Sequence, residues 1–133
     1  MARDYAESAE WFLRESENAL NAGRSAVCVR RSQEALELAA KAALRRLGIE
    51  YPHEHDVSEA IEASAERLPD SLRARIEEIK ATLQELAKVR GPAFYGYEAE
   101  GIPASQAFTR EYAYEILRRV RSLVELCVKF ARE

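Results

Sequence analysis

Between two long stretches of helical pattern lies KVRGPAFYGYEAEGIP, Lys88 to Pro103, in which one arginine, Arg90, precedes the aromatics Phe94, Tyr95 and Tyr97. Each of these residue types has a use at a phosphate-bearing ligand. The planar fork of an arginine holds phosphate oxygens through paired hydrogen bonds. Aromatic faces stack on nucleobases, and tyrosine hydroxyls bond phosphates or sugars. The same residues also have a purely structural use. An arginine in the last turn of a helix meets free carbonyls at the negative end of the helix dipole, or pairs with an acid, and three aromatics can plug the end of a bundle. From the residues alone both readings stay open.

The other residues with chemical potential are less directed. His53 and His55 form a His-x-His pair beside Glu54 and Asp56, a spacing that admits a metal ion only with a full ligand set. The alternative is that His55 leads into a helix that Asp56 caps. Arg30-Arg31, Arg45-Arg46 and Arg118-Arg119-Arg121 are interleaved with Glu34, Glu37, Glu115 and Glu125. Acids at those helical spacings make surface ion pairs, so the clusters read as solvated faces rather than as a nucleic-acid stripe.

The elements that position these residues follow from hydrophobic spacing. A first helix covers 4–22 and stops at Gly23. A second covers 24–47, with an apolar stripe so rich in alanine that it reads as the central helix. Asp56 to Glu59 forms a capping box for a short third helix reaching about Leu68, and Pro69 suits the first turn of the next. That fourth helix, about 70–90, places Leu72, Ile76, Ile79, Leu83 and Leu86 in alternating steps of four and three. Arg90 is next in the series, so it is expected to continue the buried seam, with Gly91-Pro92 breaking the helix behind it and the aromatics on a loop. Ser105 is expected to cap a last helix that ends near Arg132. The expected fold is all-α: one domain over residues 1–133, an antiparallel up-and-down bundle of four long helices plus one short helix.

The totals agree. The chain of 133 residues is 47% hydrophobic and 32% charged, with a net charge of -3. This describes a folded domain with no bulk attraction to nucleic acid or membrane. The opening residues MARDYAESAE do not resemble a secretory signal, and no apolar run approaches the ~20 residues of a membrane span. Cys28 and Cys127 lie within apolar helical stripes and read as reduced core residues of a cytoplasmic protein rather than as a disulfide.

Several of these residues together resemble a known family. Gln33-Glu34-Ala35-x-Glu37-x-Ala39-x-Lys41-Ala42-x-Leu44 is similar to a helix of the HEPN (higher eukaryotes and prokaryotes nucleotide-binding) domains, and His55-Asp56 matches the step that opens their third helix. The length and helix order are also similar, over nearly the whole chain. Catalytic members carry Arg-x(4–6)-His at the end of the fourth helix, and toxin-like members partnered with a minimal nucleotidyltransferase carry Arg-x4-His-x-Tyr. Here the text is Arg90-x4-Tyr95-x-Tyr97, with no histidine after Arg90 and with glycine at position 91.

The resemblance implies a cytoplasmic homodimer whose two copies line a shared cleft with Arg90, Phe94, Tyr95 and Tyr97. It also implies a nucleotidyltransferase partner, a nucleotide or RNA as ligand, and no cofactor or metal. By the same resemblance, Arg90 and Tyr95 occupy the catalytic positions, and Tyr97 is a position the partner could modify with a nucleotidyl group. Cleavage of this type needs a group that accepts the ribose 2′-OH proton and one that protonates the leaving oxygen. Histidine titrates near pH 6.5 and serves both; the ordinary tyrosine value near 10 suits neither. Binding with weak or absent cleavage is therefore expected. The alternatives are a working metal-independent endoribonuclease, in which Arg90 from both copies favours ionised Tyr95, and a helical interaction module that cuts nothing.

Overall fold

Alternation of apolar and polar residues with helical period places six α-helices among the described residues. They are α1 (Ala2–Asn21), α2 (Ser25–Arg46), α3 (Val57–Ala63), α4 (Asp70–Arg73), α5 (Ile76–Tyr95) and α6 (Arg110–Ala131). The structure, a computed structural model, describes residues 1–50 and 56–133. Among these there is no strand, only an isolated bridge between Tyr97 and Ile102. The fold is an all-α bundle.

Side-chain pairings give the direction of each helix. The Arg45 guanidinium covers the Tyr5 ring, Ser32 donates to Ser16 at 3.3 Å and Arg31 pairs with Glu15 at 2.9 Å, so α1 and α2 are antiparallel. Arg132 pairs with Glu10 and Arg121 with Glu17, so α6 is antiparallel to α1 as well. Arg75 donates to Ser122 and Tyr112 to Glu85, which sets α5 antiparallel to α6. The Cys28 thiol donates to Ala113 O at 3.8 Å while Arg46 covers the Phe130 ring, so α2 and α6 are parallel. The long helices therefore run up, down, up, down, as expected.

The parallel pair forms the centre. On α2, Cys28, Ala35, Leu36, Ala39, Ala40, Ala42, Ala43 and Leu44 are completely buried. Alanine side chains let a neighbouring helix approach closely, and α2 contacts α1, α3, α5 and α6. No sizeable contact joins α1 to α5 among the described residues. Both cysteines are free and buried, as the apolar pattern indicates. Burial pushes the Cys127 thiol up to about 12.

The α5–α6 contact is narrow but polar. Glu85 accepts from Tyr112 at 2.7 Å and from Arg119 at 3.0 Å, and Arg119 also donates to the buried Thr82 hydroxyl at 3.0 Å. Burial and the Glu85 carboxylate raise the Tyr112 pKa above the ordinary tyrosine value, which keeps its hydroxyl a donor.

Four local expectations are corrected. The stretch 70–90 is not one helix: Arg75 leaves helical geometry at φ -113°, ψ 11°, and separates the single turn α4 from α5. No glycine or proline marks that point. The short third helix ends at Ala63 and passes into a 3₁₀ turn at Ala65–Arg67, with Pro69 just before α4 rather than inside it. Gly91-Pro92 does not end α5, which continues to Tyr95. A proline clashes with the Cβ of a preceding helical residue, and at Gly91 there is none. The last helix is capped by Thr109, which accepts from Tyr112 N at 3.0 Å, while Ser105 lies in a 3₁₀ turn at Ala104–Gln106. At α3 the expected cap holds: Asp56 accepts from Ser58 N at 2.9 Å.

Candidate functional site

Because α5 runs through Pro92, Arg90 and Phe94 are one helical turn apart on the same face, and Tyr95 ends the helix. Phe94 and Tyr95 are therefore helical, not on a loop. Arg90 does not continue the buried seam. It is exposed, and the core stripe passes instead through Leu86, half-buried Val89 and Ala93. Nor does Arg90 cap the helix: among the described residues it has no hydrogen bond or ion pair. Its guanidinium stands in solvent, one turn before an aromatic cluster.

That cluster is unusually open for its residue types. Tyr95 is 70% exposed, Phe94 44% and Tyr97 38%. The Phe94 and Tyr95 rings lie 6.0 Å apart at 38°. Tyr97 is the one on irregular backbone. Its N–H donates to Ile102 O at 2.8 Å, and Ile102 N–H donates back to Tyr97 O at 3.0 Å, which closes a short loop over Glu98–Glu100. Gly96, buried at the end of α5, turns the chain into this loop with φ 73° and ψ -167°.

The residues named from the sequence are thus brought together at one end of α5. What pattern reading missed is the contribution of α2. The Arg30 guanidinium lies 4.4 Å from the centre of the Phe94 ring, a distance at which a cation is attracted to the ring face. Arg30 does not belong with Arg31, which pairs with Glu15 and Glu34. Arg30 shares helical phase with Ala26 and Gln33, both buried.

The remaining basic clusters are ion-paired, but of the pairs below only Arg118 has its acid at the expected helical spacing, and half-buried Arg119 joins α6 to α5 rather than facing solvent. Arg45 pairs with Glu50, Arg118 with Glu115, Arg119 with Glu85 and Arg121 with Glu17. The reading of His53 and His55 as metal ligands or helix entry lies outside the described residues. No described helix is long and apolar enough to cross a membrane.

The arrangement can hold a phosphate on Arg90 and offer aromatic faces beside it. Tyr95 and Tyr97 supply hydroxyls and no imidazole. Compared with known proteins, residues 2–131 match the family model described as HEPN domain. No curated protein matches the chain.

Proposed function

Because the chain belongs to the HEPN domain family, we propose that it is a toxin-like or regulatory component that binds the phosphates of RNA or nucleotide and cleaves weakly or not at all. It acts as a homodimer with a nucleotidyltransferase partner. The observation that supports this reading most is the state of Arg90: exposed and without a protein partner among the described residues, beside accessible Phe94, Tyr95 and Tyr97. An arginine that only stabilised its helix would be expected to meet carbonyls or an acid.

The test is incubation with structured and single-stranded RNA in EDTA, beside an Arg90→Ala variant. Wild type is expected to bind with salt-sensitive affinity and leave the RNA intact, and the variant to bind roughly tenfold or more weakly, the loss of one charge-assisted phosphate contact. Equal binding by both proteins would remove Arg90 from the site. Cleavage that disappears in the variant would make the protein a working metal-independent ribonuclease.

The Tyr97 hydroxyl is the proposed acceptor of a nucleotidyl group that the partner transfers from a nucleoside triphosphate: the phenolic oxygen bonds the α-phosphorus, pyrophosphate leaves and the phenolic proton is released. The Tyr97 ring is exposed, and its backbone is held by the Ile102 bridge, so the hydroxyl is presented at a defined place. Intact-mass measurement after coexpression with the nucleotidyltransferase is expected to show an added nucleotidyl mass that Tyr97→Phe abolishes. An unmodified wild-type chain would sink this assignment and leave the phosphate-binding reading standing.

A further inference from the structure

A cleft of about 430 Å³ opens where the amino end of α2 meets the last turn of α5 and the 104–106 turn. The volume is within the range of small-ligand sites. Its lining includes Gly23, Arg24, Ser25, Arg30, Ala93 and Ser105, with two arginines, two serines and no carboxylate in all. Two other clefts at the surface mix both signs: Glu7 stands with Arg3 and Arg132 in one, and Asp4 and Glu7 with Arg14 in another.

Three further observations converge on the same space. The Nε of Arg30 is fully buried and has no hydrogen-bond partner among the described residues, although buried donors are rarely left unpaired. The Arg30 guanidinium, 4.4 Å from the centre of the Phe94 ring, also lines the cleft. In addition, α2 begins without a side-chain cap and without an acid in its first turn. The amides of Ser25, Ala26 and Val27 have no acceptor among the described residues, and they carry the positive end of a 22-residue helix dipole. Donors and positive charge meet here with no carboxylate in the lining.

We propose that this cleft binds the terminal phosphate of a phosphomonoester, with Arg30 as its principal side-chain ligand. A monoester offers three terminal oxygens and a charge near -2, which matches a ring of amides, a buried Nε–H, Arg24 and two hydroxyls. A diester, with two free oxygens and one charge, would leave donors unused. The inference stands on the cleft itself and would hold if Arg90 bound nothing.

The experiment is an NMR titration of isotope-labelled protein with inorganic phosphate, adenosine monophosphate and adenosine in turn. Phosphate and the monophosphate are expected to shift the Ser25, Ala26 and Val27 amides and the Arg30 Nε–H, and adenosine to leave them unmoved. Tighter binding of the monophosphate than of phosphate identifies a nucleotide as occupant; equal binding identifies free phosphate. Arg30→Gln is expected to weaken the response at least tenfold, while Arg118→Ala, at an exposed ion pair on α6, leaves it unchanged. Should Arg30→Gln unfold, Arg30→Lys keeps the charge and removes the Nε donor, and the same loss is expected. The proposal is overturned if neither phosphate nor monophosphate moves these amides, if adenosine moves them equally, or if the folded Arg30 variant binds as well as wild type.

Discussion

Replacing Gly96 with alanine is expected to unseat the segment that carries Tyr97 and to cost at least about 2 kcal/mol of stability, from a backbone conformation open essentially only to glycine together with a steric clash. A Cβ at this position would lie 2.1 Å from Ile102 O, 2.6 Å from Ala104 N and 2.6 Å from Pro103 C. All three are backbone atoms, so no side chain can rotate away. Either α5 ends differently or the strip from Ile102 to Ala104 lifts off, breaking the Tyr97–Ile102 bridge and moving the Ser105 wall of the cleft. Gly101 provides the control. It also has a positive φ, 68°, but a Cβ there meets nothing within 4 Å. Gly101→Ala is therefore expected to cost only about 1 kcal/mol. Chemical denaturation measures the two losses, and limited proteolysis within 97–103 separates local release from global weakening. Equal losses for both variants would mean that the close approach at Gly96 relaxes without consequence.

Tyr95→His is expected to raise metal-independent RNA cleavage by about 10²-fold or more over the wild-type background, the usual contribution of a positioned acid–base group. The substitution recreates the Arg-x4-His spacing found in catalytic members of the family. It falls on the last residue of α5, 70% exposed, so no packed side chain is lost and the fold should be indifferent to it. The gain should depend on Arg90, because the imidazole moves a proton while the guanidinium stabilises charge on the phosphate. Tyr95→His combined with Arg90→Ala is therefore expected to return to background. The rate should also show a pH dependence near the histidine range, about 6 to 7. A Tyr95→His protein that binds RNA and remains as inactive as wild type would show that position 95 does not face the scissile phosphate.

The bundle, its helix order and the central place of α2 were legible because each depends on apolar spacing summed over twenty or so residues. The errors cluster where one or two residues decide. Arg90 was placed in the seam by extending alternate steps of four and three. Such a series averages 3.5 residues per turn, and against a straight helix it drifts by about 20° per heptad. In the last turns of α5 the core line runs through Leu86, Val89 and Ala93 instead, a shift that an extrapolated series does not follow. Pro92 was taken as a helix breaker because proline usually is one, yet the glycine before it removes one of the clashes, that with the preceding Cβ. Arg30 could not be assigned to the site from its neighbours in sequence, since its partner Phe94 arrives from a helix some sixty residues away. Gly96 left no trace at all: its necessity comes from a backbone strand crossing above it, and nothing in a linear pattern encodes a crossing.

The division of labour in this bundle bears on how freely its parts can vary over evolutionary time. α1 and α5 lie on opposite flanks of the α2–α6 pair and share no sizeable contact among the described residues. Changes in elements that do not touch combine additively. Descendants of this chain can therefore rework the α5 edge, its aromatics and its arginine without a compensating change in α1. The central pair has no such latitude. Its completely buried alanines, Ala35, Ala39, Ala40, Ala42 and Ala43, leave no room for a larger side chain, and each added methylene there would press on more than one neighbour at once, at about 1–3 kcal/mol for overpacking. Diversity among relatives should accordingly concentrate at the α5 edge, while the alanine-rich axis changes slowly.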